Sequence, residues 1–71
     1  MCSEDCLKQI SNAINAVTNA TTKKSLMLLT GDALNLVEEK FVAKQITAKH
    51  KFRFERCIRS KYRKQLIEES T

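Results

Sequence analysis

A chain of 71 residues with no proline, one glycine and a net charge of +5 holds one domain at most, and a domain of this size buries only about 60% of the surface its unfolded form exposes. Helix formers run throughout and only local turn chemistry interrupts them, so the expected class is all-α: two or three amphipathic helices in a hairpin-like arrangement over residues 1–71. The charge is unevenly spread. Residues 1–40 carry four lysines against five carboxylates, and residues 41–71 carry nine Lys and Arg against three. That asymmetry points to an acidic partner, and the lack of any glycine-rich loop excludes a phosphate cradle.

Ser3 reads as the N-cap of a first helix over about residues 3–22, with Glu4 and Asp5 in the turn where carboxylates suit the positive helix end. Leu7, Ile10, Ile14 and Val17 recur at helical spacing, and Lys8, Asn12, Asn15 and Asn19 make the opposite, nearly uncharged face. Thr18, Thr21 and Thr22 weaken its end through β-branching. After a boundary at Thr21–Ser25, Leu26 to Leu29 form the most apolar run of the chain, far too short to cross a bilayer. The expected second helix, about 25–49, runs on through Gly31, with Leu26, Leu29, Ala33, Leu36 and Val37 on one face; a restart with Thr30 or Asp32 as cap is the alternative.

Further along, Leu34, Val37, Phe41, Ala48 and Phe52 share one side of a 3.6-residue helix, but extending that side places Glu55 and Arg59 on it. The ridge formed by Phe54, Ile58, Tyr62 and Leu66 is rotated from it by about 100°. The mismatch predicts a bend or break between Lys49 and Arg53, with His50 as the weak point, or else two apolar faces serving two partners. A third, basic amphipathic helix follows over about 51–67, and Glu68 and Glu69 at its negative end predict fraying after Ile67.

The segment Lys49 to Lys64 concentrates most of the basic and aromatic side chains, so it is the expected contact surface. Phe41, Phe52, Phe54, Ile58, Tyr62 and Leu66 supply apolar anchors for a protein partner or a seam with a second copy, and Arg56, Arg59 and Arg63 flank them. Self-association is expected because two apolar faces exceed what so small a core covers. Nucleic acid held by Lys and Arg on its phosphates is the alternative. A membrane-surface role is disfavoured by the scarcity of bulky Trp and Leu.

One histidine and three scattered cysteines bring no nucleophile, base and orienter together, so no catalytic residue is expected. Cys2, Cys6, Cys57 and His50 fit no standard zinc spacing, and neither metal nor cofactor is expected. The odd thiol count and the polar, acidic N-terminus, in which no signal peptide is visible, predict a reducing, cytoplasmic setting with dispensable thiols.

Gly31, Ala33, Phe41 and Ala43, then the basic link at Lys49, then Phe52 with Arg56 one turn on and Cys57 beside it, make a pattern over residues 31–60. In that stretch the chain resembles the small AraC-family negative regulators of Gram-negative bacteria, without the tryptophans that usually fill their aromatic positions. The resemblance implies a small helical protein that binds a transcription activator and blocks its self-association. The chain is also similar, more generally, to the helical-hairpin co-chaperones of type III secretion needle subunits, which hide a partner's helices.

Overall fold

Three hydroxyl side chains mark where the helices begin. Ser3 Oγ accepts the Cys6 N–H at 3.1 Å, Thr22 Oγ1 accepts the Ser25 N–H at 3.0 Å, and Thr47 Oγ1 accepts the His50 N–H at 3.3 Å. Each satisfies one of the four donors that a helix start leaves without an intrahelical partner. The computed structural model describes residues 3–70, with side chains through residue 68. Its helices are α1 (Glu4–Thr18), α2 (Lys23–Val42) and α3 (Ala48–Ser70), and no strand occurs among the described residues. The expected all-α class holds, and α2 runs unbroken through Gly31.

The ends of the helices differ from expectation. The first helix stops at Thr18, whose Oγ1 donates back to the Ile14 carbonyl at 3.1 Å, instead of continuing to about residue 22. The second stops at Val42, so the interruption lies at residues 43–47 and not between Lys49 and Arg53. Its end is a Schellman motif: the Gln45 N–H donates to the Lys40 carbonyl and the Lys44 N–H to the Phe41 carbonyl, both at 2.9 Å. Lys44 takes φ 61° there, a position usually given to glycine. The third helix runs on to Ser70, past the fraying expected after Ile67.

The helices run up, down and up. Lys51 near the start of α3 meets Glu38 near the end of α2, and the Gln65 amide near the end of α3 donates to the carbonyl of Thr18 at the end of α1. That second bond satisfies a carbonyl which the end of α1 leaves open. The bundle measures 41 × 19 × 15 Å, its length set by α3. Cys6, Ile10 and Val17 from α1, Leu26, Ala33 and Val37 from α2, Ile46 from the connection and Ile58 from α3 form the core. The buried stripe of α1 therefore starts at Cys6, and Leu7 is 49% exposed. Thr30 is buried in α2, and its hydroxyl has no hydrogen-bond partner.

Cys6 is disulfide-bonded, and Cys57 is a free, half-buried thiol. This bond stands against the reducing setting with dispensable thiols that the odd count suggested. An odd count excludes complete pairing but not one pair and a spare. Cys2 lies outside the described residues.

Candidate binding surface on the third helix

The ridge expected to face a partner packs within its own chain. Ile58 is fully buried, and Phe54, Tyr62 and Leu66 lie half-buried against the core with Phe41 of α2. The reason is the phase of the break. Because α2 ends before residue 43, α3 restarts with its own rotation, and the apolar side of α3 is the Phe54–Ile58–Tyr62 ridge, while Ala48 and Phe52, assigned to the core side by a single continuous period, are exposed. The ridge is thus covered in part by its own chain, while Met27, Leu28, Val42 and Phe52 stay exposed.

Turning that ridge inward turns the cations outward. At 100° per residue, Lys49, Arg53, Arg56, Ser60 and Arg63 form the stripe opposite Ile58, with Arg59 and Lys64 on its two flanks. All seven side chains are exposed. From Lys49 to Lys64 the stripe extends about 22 Å at 1.5 Å per residue. Of the expected contact residues, Arg56, Arg59 and Arg63 belong to it, and Phe52, 64% exposed, stands at its N-terminal end. Phe52 lines a shallow depression of about 270 Å³ together with Lys49, Arg53 and Arg56. Lys49, Arg53 and Lys64 were legible as part of the basic segment, but only the helix phase groups them with the three arginines.

Lys51 engages the carboxylates that flank this stripe on its inner side. Its Nζ lies 3.2 Å from the Glu38 carboxylate and 3.9 Å from that of Glu55, and these are the ion pairs made between described residues. The same ammonium stands over the Phe41 ring at 5.1 Å and the Phe52 ring at 5.5 Å. Glu55, the one carboxylate between Lys49 and Lys64, is thus held on the inner flank at 15% side-chain exposure. Six cations remain on the outer side without a carboxylate among them and without an ion pair to a described residue. Like charges at this density raise the local potential, which an anionic partner relieves.

A second concavity, of about 360 Å³, opens between α1 and the start of α3, with Leu7, Ile46 and Phe54 as its apolar walls and Lys44 and His50 at its margin. The His50 Nδ1 lies 2.7 Å from Thr47 Oγ1, and its ring is 6.4 Å from that of Phe54, so the imidazole is engaged by the cap of α3. Among the described residues, no group of three or more His, Cys, Asp and Glu side chains is placed to hold a metal ion. No helix of the described residues is long and apolar enough to cross a membrane. No protein-family model, no curated protein and no solved structure matches the chain.

Proposed function

We propose that this chain is a small non-enzymatic regulator that acts by binding, with the outward stripe of α3 as its contact surface and an acidic macromolecule in the cytoplasm as its partner. The observation that carries this reading is the run of six exposed cations, Lys49, Arg53, Arg56, Arg59, Arg63 and Lys64, with Glu55, the one carboxylate within that span, paired to Lys51 on the inner flank and Glu68 standing beyond its C-terminal end. Heparin chromatography tests the reading against a control of equal charge. Arg53→Gln/Arg56→Gln/Arg63→Gln should elute at markedly lower salt than the parent chain, and Lys8→Gln/Lys23→Gln/Lys24→Gln, which removes three exposed lysines of α1 and α2, should shift far less. Equal shifts would mean that net charge alone is being read, and the reading fails.

A protein partner, of the transcription-activator kind implied by the AraC-family resemblance, is the second reading. Phe52, 64% exposed, and Val42, 69% exposed, favour it as largely exposed apolar side chains able to serve as anchors.

A further inference from the structure

Resting on that reading of α3, we infer that the acidic partner is double-stranded DNA, gripped by its phosphate backbone. The argument starts from the shape of the charge. Arg59 and Lys64 mark the edges of the stripe, about 140° apart around the helix axis, with Lys49, Arg53, Arg56 and Arg63 between them. A helix is about 10–12 Å across and the major groove about 12 Å wide, so a helix seated there sends its two edges toward the phosphates of opposite strands. Arg59 and Arg63 reach one wall, and Arg53 and Lys64 the other. Four of the six cations are arginines, whose planar forks match phosphate oxygens.

Other anionic partners fit less well. A protein interface concentrates its affinity in apolar or aromatic anchors at its centre. Here the centre is Arg53, Arg56, Ser60 and Arg63, and the apolar Phe52 and Ile67 stand at the two ends. A single strand is held by aromatic side chains stacked on its bases. On this surface Phe52 alone is exposed, because Phe41, Phe54 and Tyr62 are committed to the core. An anionic bilayer takes up a helix with an apolar face beside its cations, and the apolar face of α3 is turned inward.

The full chain titrated against a fluorescein-labelled duplex of about 20 base pairs, at salt rising from about 50 mM, tests this by anisotropy. Four to six phosphate contacts predict a slope of log K on log salt between about −3.6 and −5.4, and Arg53→Gln/Arg56→Gln/Arg63→Gln should make it shallower by about 2.7. Polyglutamate, the single strand of equal length and phosphatidylserine vesicles should each compete more weakly than unlabelled duplex. Stronger competition by any of the three overturns the duplex assignment while leaving the heparin result intact. A slope that the triple variant does not change overturns it too. Circular dichroism of the variant, whose three changes are all at exposed positions, separates loss of contact from loss of fold.

Discussion

Lys51 and Glu38 tie the third helix to the second, with Nζ and Oε2 3.2 Å apart and the two side chains 19% and 54% exposed. The exposure of Glu38 limits what the pair is worth, so a double-mutant cycle of Lys51→Met and Glu38→Gln should give a coupling of about 0.5–1 kcal/mol in urea denaturation. Lys51→Ala should cost more, about 2 kcal/mol, since it also removes the ammonium standing over the Phe41 and Phe52 rings and leaves Glu55 without its cation. A coupling indistinguishable from zero would reduce Lys51 to a packing residue.

Thr30 presents the opposite case, a polar group that stability would gain by losing. Its hydroxyl is buried with no partner while Leu26, Ala33 and Val37 surround the same face of α2. Thr30→Val keeps the shape and should raise stability by about 1–2 kcal/mol, seen as a higher urea midpoint at unchanged slope. Thr30→Ala should gain less, because it leaves a cavity. A lower midpoint for the valine variant would mean that the hydroxyl is satisfied in solution.

At Lys44 the backbone, not the side chain, sets the outcome. A φ of 61° costs an ordinary residue about 1–2 kcal/mol, and glycine avoids that cost while losing some chain entropy. Lys44→Gly should therefore stabilise the protein by about 1 kcal/mol, and Lys44→Ala should leave it nearly unchanged. Thermal melts of the two variants decide the matter: if alanine stabilises as much as glycine, the gain comes from removing charge and not from the turn.

Lys44 also shows why part of the fold was hidden in the sequence. Helix C-termini announce themselves through Gly or Asn, and neither occurs between Phe41 and Ala48, so a single helical period carried across residues 43–47 assigned Phe52 to the core and left Glu55 misplaced. Thr47 was a readable cap, a hydroxyl three residues ahead of the N–H it accepts, but its setting among Gln45, Ile46 and Ala48 gave it no emphasis. The start of α1 at Ser3 and the apolar positions Ile10, Val17, Leu26, Ala33 and Val37 were legible because caps and period suffice for them. Periodicity names the apolar side of a helix and is silent on what covers it. That is why the Phe54–Ile58–Tyr62 ridge was found and its destination was not. Lys51 could not be singled out, since its role depends on Glu38 and Phe41 arriving from another helix.

The destination of that ridge gives the last prediction. Ile58 is fully buried in the core of its own chain, so Ile58→Ala should cost about 2–5 kcal/mol through lost contacts and the cavity left behind. A domain of this length is stabilised by about 4–10 kcal/mol in all, and the variant should show a sharply lowered urea midpoint. Arg56→Gln, at an exposed position, should stay within about 0.5 kcal/mol of the parent, and Phe52→Ala, which loses the Lys51 contact, within about 1 kcal/mol. Were Ile58 instead an anchor for a second chain, stability would depend on protein concentration and the variant would differ from the parent chiefly in sizing. Denaturation of the parent and of Ile58→Ala at two widely spaced concentrations separates these cases. The inward ridge requires a midpoint that falls with the substitution and does not move with concentration.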